Sequence, residues 1–328
     1  MAPVMAVRTL PLTTLPYPAR YAFQGAALSL APFVTLTHRC LLVRFRQGEG
    51  IRTLLFNPTD IDRARRTPFF ARLEAVVGER LARHLATRFD PLETQLERLG
   101  IAPADIDYVA FDHFHTQDLR SLLGTVDGVA PRFPNAKLLA PRVEWDEWGH
   151  LHPLQRAWYV ADGREKVRED RVVFTDGDLL LGEGVMLLRT PGHTLGNQTL
   201  FFKTDRGIWG CSENGTAVDN WSPARSQIAG VALTAKHQGL DVILNANTPE
   251  GAASQYTAMV LEKTLADPLP MAPEFAQMFP SSEVTPSLLA PGLSPSYILR
   301  KIEFGEVNLA SPPKIGVSGV SESPSGEV

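Results

Sequence analysis

The chain has 328 residues, 44% of them hydrophobic and 21% charged, with a net charge of −4. That is ordinary globular composition, enough for one large domain or two small ones, and it lacks the basic stripe that nucleic acid or an anionic membrane surface would require. Two cysteines, Cys40 and Cys211, are too few for a disulfide framework and read as reduced thiols of a cytoplasmic protein rather than as one bridge.

Residues 1–20 carry prolines where a signal peptide needs a continuous apolar stretch, and read as a lead-in. No apolar run approaches the ~18 residues of a membrane span. From Tyr21 to Phe56 the runs GAALSLAPFVTL, CLLVRF and TLLFN read as short strands. TPFFARLEAVVGERLARHLATRF then repeats apolar residues at helical spacing. DPLETQLERLGI is a compact helix, with Asp90 as N-cap and Gly100 as stop. IDYVAFD is a buried-type strand, and it runs straight into DHFHTQDL, residues 112–119.

A second round follows. SLLGTVDG reads as a helix and PNAKLLAP as a strand, and EWDEWGHLHPLQRAWYV is rich in Trp, Tyr and His. Residues 174–211 alternate strand and turn. VALTAKHQGLDVILNANTPEG reads as a helix followed by a strand. QYTAMVLEKTLAD reads as a late amphipathic helix, with Met259 and Leu261 toward the core. Residues 268–328 form a Pro/Ser-rich extension, with disorder expected over its last ~15 residues. The extension suits a homodimer contact or a cover over the pocket.

His113 and His115 stand one residue apart where an extended segment gives out into a loop. Alternate side chains there project to the same side, so two imidazoles can grip one metal ion. A third histidine, His193, lies in the turn TPGHTLGN, also after an apolar run, with Gly192 permitting close backbone approach. Either motif alone is weak. Together, eighty residues apart and each behind a strand, they point to a metal site.

With these motifs the chain resembles the metallo-β-lactamase superfamily over roughly residues 20–260. TLLFNPTDI looks like its aspartate-glycine turn, ERLGIAPADIDYVAFDHFHTQD like the segment that delivers its HxHxDH motif, and TPGHTLGN like its third-histidine turn. The resemblance implies an α/β chain built as an αβ/βα four-layer sandwich over residues 21–267, with metal at one edge. It also implies that His113, His115 and His193 hold a first ion. Gln117 falls where the family has Asp, Asp118 where it has the second-metal His, Glu213 where it has the bridging Asp, and Asn247 where it has the last His. A second site is therefore largely rebuilt, and one tightly held ion is expected: Zn²⁺, with a second ion, Fe²⁺ or Mn²⁺ as alternatives.

The expected activity is hydrolysis of a small ester, thioester or lactone through an activated water, with Asp118 or Glu213 orienting the water or returning a proton. Two other readings stand beside it. One is an iron oxygenase resembling persulfide dioxygenases, on a face made by His113, His193 and Glu213. The other is a non-catalytic binding protein on the same scaffold. His150 and His152 suit a lid, Tyr159 an oxyanion donor, and Asp219, Asn220 and Trp221 a pocket wall.

Overall fold

The computed structural model describes residues 2–78, 86–288 and 290–307. Its strands are β1 (Ala6–Pro18), β2 (Phe33–Gln47), β3 (Gly50–Phe56), β4 (Tyr108–Ala110), β5 (Lys137–Pro141), β6 (Val172–Thr175), β7 (Leu179–Gly182), β8 (Val185–Arg189), β9 (Gln198–Thr204) and β10 (Gly207–Ser212). A short hairpin of β11 (Pro268–Leu269) and β12 (Ala272–Ala276) follows, then β13 (Met278–Pro280), β14 (Ser282–Thr285) and β15 (Glu303–Gly305). The larger sheet runs β15–β1–β2–β3–β4–β5–β6, and the smaller runs β13–β10–β9–β8–β7. β3 to β6 pair in parallel, so their C-terminal ends open on one edge, where ligand sites of such sheets form.

Side-chain alternation along the strands builds the layers. Leu54, Phe56 and Leu139 face Leu187, Leu200 and Phe202 across the gap between the sheets. Leu55, Leu138 and Ala140 point the other way and pack with Leu92, Leu96, Trp145 and Trp148. On the far side of the smaller sheet, Leu188 and Phe201 meet Met259 and Trp221. Helix, sheet, sheet, helix is the four-layer order that the sequence implied. Each buried Leu or Phe contributes on the order of 1.5–3 kcal/mol to holding it.

Several segments differ from their sequence reading. Residues 1–20 are no mere lead-in: β1 pairs with β2 from Ala6 to Pro18. Its prolines hid it. Pro11 sits at a register shift, and β15 covers only Ala6–Arg8, so Pro11 and Pro16 lie where β1 has no second neighbour in the sheet, as strand prolines require. GAALSLAP forms no strand, whereas FVTL and CLLVRF join as one strand, β2. The helix over 68–77 is capped by Thr67; most of the rest of its expected run lies outside the described residues. Asp90 does not cap the helix Leu92–Arg98, because Pro91 occupies that position and Asp90 pairs with Arg98 instead. DVILNAN is not a strand; its Ile243, Asn245 and Ala246 N–H groups go to the Asn220, Asn214 and Tyr21 carbonyls. Leu261 is exposed rather than in the core.

The segment after residue 268 also belongs to the sheets. β13 joins β10 in parallel, and β14 takes the part of β2 that β3 leaves free. A buried pair, Arg39 to Glu283 at 2.9 Å, clamps it. Arg39 further donates to the Leu299 carbonyl at 2.8 Å, and Leu299 N donates back to Glu283 at 2.7 Å. The final ~15 residues lie outside the described residues. Among those described, no helix is long and apolar enough to cross a membrane.

Candidate metal centre

β4 is only three residues long, and His113 and His115 leave its C-terminal end. Asp112 braces the first of them. Its carboxylate accepts from His113 Nδ1 at 2.7 Å, from Asn57 Nδ2 at 2.9 Å and from Ser281 Oγ at 2.5 Å. Burial works to raise the Asp112 carboxyl, yet the His113 imidazole and these hydrogen bonds outweigh it and hold it below the ordinary value. With Nδ1 held, His113 has Nε2 free. His115 is the reverse: its Nε2 lies 2.5 Å from Gln155 Oε1, so Nδ1 is free. Partners on the far ring nitrogen orient metal-ligating histidines in this way.

His193 arrives on the turn after β8. Gly192 there has φ 138, and a side chain on it would put Cβ 2.1 Å from Gln255 N, so no other residue fits. Gly196 is equally constrained, since a Cβ would lie 2.3 Å from Glu144 Cβ. That closeness lets buried Glu144 tie the two histidine turns together. It accepts from Phe114 N and Gly196 N, both at 3.0 Å, and from the Tyr159 hydroxyl at 2.6 Å.

The three histidines converge. Their ligand nitrogens lie within 4.8 Å of one another, and their ring centroids are 4.4, 4.5 and 5.1 Å apart. All three are buried. Burial, then His113 nearby, pushes the His115 and His193 imidazoles well below the ordinary histidine range, so they are neutral and their lone pairs are available. His193 Nδ1 is buried with no hydrogen-bond partner. Three crowded imidazoles, two braced through their other nitrogen, fit a metal ion such as Zn²⁺.

The remaining site residues of the sequence reading divide. Glu213 and Asn247 line the same cavity as the histidines, and so does Gln117. Glu213 is not part of the converging group; burial, then Asp112, pushes its carboxyl well up. Asp118 does not line the cavity. It is buried and turned toward Arg120 at 2.9 Å, Arg63 at 3.3 Å and Arg66 at 3.4 Å. Three guanidinium groups beside a bare carboxylate hold it there, so it is an anchor for the chain rather than a water-orienting acid.

His150 and His152 are exposed and away from the cavity. Their segment contributes Gln155 and Trp158 to the site instead. Tyr159 is committed to Glu144. Asp219 accepts from Ser226 and Ser296, Asn220 from the Thr216 and Ala217 N–H groups, and Trp221 donates to Glu262. None of these three lines the cavity. Cys40 and Cys211 are free and buried, with thiols pushed up by burial.

Four features escaped the sequence reading: Asp112, Gln155, His38 and the Ser281–Ser282 pair. Only Asp112 had a signal, as the acid directly before His-x-His. His38 lines the cavity between Thr59 and Ser282. Burial, against a smaller opposing effect of Asp112, lowers it to about 4.

The cavity encloses about 660 Å³. Its apolar lining includes Leu36, Phe69, Leu73 and Trp158, with Trp158 6.2 Å from His115 and Phe69 stacked on Trp158 at 4.5 Å. A second groove shares Phe69, Leu73, Trp158 and Asn247 with it and leads outward past Tyr21, Phe33 and Val76.

No family model matches the chain. An N-acyl homoserine lactonase from Bacillus sp is 28% identical over 120 residues, 37% of this chain and 42% of that protein. N-acyl homoserine lactonase AiiA from Bacillus thuringiensis subsp. kurstaki matches to the same extent. The chain thus spans less than half the length of the curated relatives it matches. Among solved structures, an AiiA point mutant from B. thuringiensis with N-decanoyl-L-homoserine bound at the active site superposes with a TM-score of 0.50. It is 20% identical, covering 72% of this chain and 88% of that one. A probable metal-dependent hydrolase from Staphylococcus aureus superposes with a TM-score of 0.51 at 11% identity, covering 79% and 86%. Between 72 and 79% of the chain follows a single architecture in these superpositions, and it is the fold of the metallo-β-lactamase superfamily.

Proposed function

We propose that the chain is a metal-dependent hydrolase that opens a lactone or cleaves a related small ester or thioester. The observation that carries this is the convergence of three imidazoles in a cavity that is also lined by apolar side chains. The relatives named as N-acyl homoserine lactonases support a lactone joined to an acyl chain. Leu36, Phe69 and Trp158 suit such a chain.

His113, His115 and His193 would hold the ion. When bound, it supplies a Lewis acid for the carbonyl and a water acidic enough to attack near neutral pH. Zn²⁺ is favoured over Fe²⁺ or Mn²⁺ because the converging set is three imidazoles, not two histidines and a carboxylate. Glu213, on the same cavity with its carboxyl pushed up by burial, is the base. It takes the water's proton as the water oxygen adds to the carbonyl carbon. It returns that proton to the leaving oxygen as the C–O bond breaks. The two free buried thiols suit a cytoplasmic setting.

The test is metal content per chain in protein purified without added metal, for wild type and His193→Ala, together with ring opening of acyl lactones followed by pH-stat. Wild type retains metal and turns over; the variant does neither. Metal-free wild type, or oxygen uptake in place of acid release, overturns the reading.

A further inference from the structure

Glu262 is fully buried in the helix Ala252–Leu265, behind the smaller sheet. A carboxyl in such a place costs stability unless hydrogen bonds compensate it, and an apolar side chain would fill the space at less cost. Its four donors show what it holds. Oε1 accepts from Ser212 Oγ at 2.9 Å, from Asn214 Nδ2 at 2.8 Å and from Thr199 Oγ1 at 2.6 Å, and Oε2 accepts from Trp221 Nε1 at 2.7 Å. Ser212 and Asn214 are the two chain neighbours of Glu213, and Asn214 N donates to Ser212 Oγ at 3.1 Å. One carboxyl therefore grips the turn that carries Glu213 from both sides.

The same group reaches toward the His193 turn. Thr199 Oγ1 lies 2.7 Å from Thr190 Oγ1, and Asn214 Nδ2 also donates to the Thr190 carbonyl at 3.4 Å. Thr190 opens the turn Thr-Pro-Gly-His. Gln255, two turns earlier on the same face of the helix, adds a second tie. Its Nε2 donates to the Asn214 carbonyl at 3.1 Å and to the Asn245 carbonyl at 2.9 Å. Its backbone is the one that closes on Gly192. Asn245 Nδ2 then donates to the Glu213 carbonyl at 3.0 Å. The turns that carry Glu213 and His193 are thus both seated on one helix face, although neither Glu262 nor Gln255 lines the cavity.

We propose that Glu262 is a positioning residue of this site: by holding Ser212 and Asn214 it sets where the Glu213 carboxyl stands relative to the three histidines. The inference rests on the metal-hydrolase reading in which Glu213 is the base.

The isosteric variant Glu262→Gln is a sharp probe. Trp221 Nε1 can only donate, and the Thr190 carbonyl keeps the Asn214 NH₂ turned as a donor. These two meet opposite oxygens of Glu262, so whichever way a glutamine amide turns, its own NH₂ faces a donor. The Trp221 ring is fully buried and cannot swing away, so Asn214 yields and the Glu213 turn shifts with it.

The experiment loads wild type, Glu262→Gln, Glu213→Gln and the double variant with Zn²⁺. It measures Zn²⁺ per chain, the thermal midpoint, and kcat, KM and the pH profile of kcat for ring opening of an N-acyl homoserine lactone. Glu262→Gln is expected to keep the wild-type Zn²⁺ content and KM and to lose about 10–100-fold in kcat, with a displaced pH profile. In the Glu213→Gln background the same substitution costs nothing further, because its effect passes through a carboxyl already removed. If Glu262→Gln does not fold, Ser212→Ala, which removes one tie alone, runs through the same cycle. Equal losses in both backgrounds overturn the proposal, and so does a lowered midpoint with kcat and pH profile unchanged, which would make Glu262 purely structural. A loss of kcat matched by loss of Zn²⁺ overturns it as well. Unchanged kcat in Glu213→Gln, or no turnover in wild type, overturns the hydrolase reading beneath it and this inference with it.

Discussion

Gln155 Oε1 lies 2.5 Å from His115 Nε2, and the same amide donates to the His193 carbonyl at 3.2 Å and to Glu250 at 2.6 Å. Because the His193 carbonyl only accepts, the amide has one permitted orientation, and its oxygen fixes hydrogen on His115 Nε2. The lone pair of Nδ1 is thereby pointed at the metal position.

Gln155→Met keeps the shape and removes all three contacts. It is expected to weaken Zn²⁺ binding about 10–100-fold with the fold retained. Competition with a chromogenic chelator measures this; an unchanged affinity would show that the amide does not orient His115.

Asp118 anchors rather than ligates. Asp118→Asn leaves Arg63, Arg66 and Arg120 without their shared carboxylate and should cost roughly 2–4 kcal/mol of stability. Metal content should stay at the wild-type value. Denaturant unfolding and metal analysis on the same samples decide the matter, since lost metal with unchanged stability would restore Asp118 as a ligand.

Gly196→Ala would put a methyl 2.3 Å from Glu144 Cβ. Glu144 must then shift, and with it the bonds to Phe114 N and Gly196 N that join the two histidine turns. A loss of about 1–3 kcal/mol is expected, read as a lower thermal midpoint, with a parallel fall in Zn²⁺ affinity.

His38 gives a pH signature. Its imidazole is lowered from 6.5 to about 4, so between those values the unfolded chain binds more protons than the folded one. Stability then falls as pH drops from about 6.5 to about 4, and His38 adds no further slope below that. Metal-free His38→Gln should show a shallower decline across that window than metal-free wild type in urea unfolding. Parallel curves would contradict the assignment.

The histidine ligands were legible because their signal is local. His-x-His after a strand and Pro-Gly-His-Thr after another carry their geometry within a few residues. Their braces were not legible, because each comes from far along the chain: Glu144 is 30 positions from Phe114, Gln155 is 40 from His115, and Ser281 is 169 from Asp112. No spacing rule reports such contacts. β1 was missed for a related reason. Its prolines argue against a strand unless one knows which edge is left free, and that is a property of the assembled sheet. Asp118 misled because a motif position fixes where a residue sits in the chain, whereas its side chain turns toward whatever charge the fold brings near.

The Ser281 hydroxyl that braces Asp112 comes from 169 positions downstream, on the link between β13 and β14. During synthesis the three histidines therefore leave the ribosome well before the hydroxyl that steadies the first of them. A growing chain can gather the imidazoles before this last brace on Asp112 is in place. The full brace on His113 is thus a late event of maturation, tied to the docking of two of the last strands of the sheets.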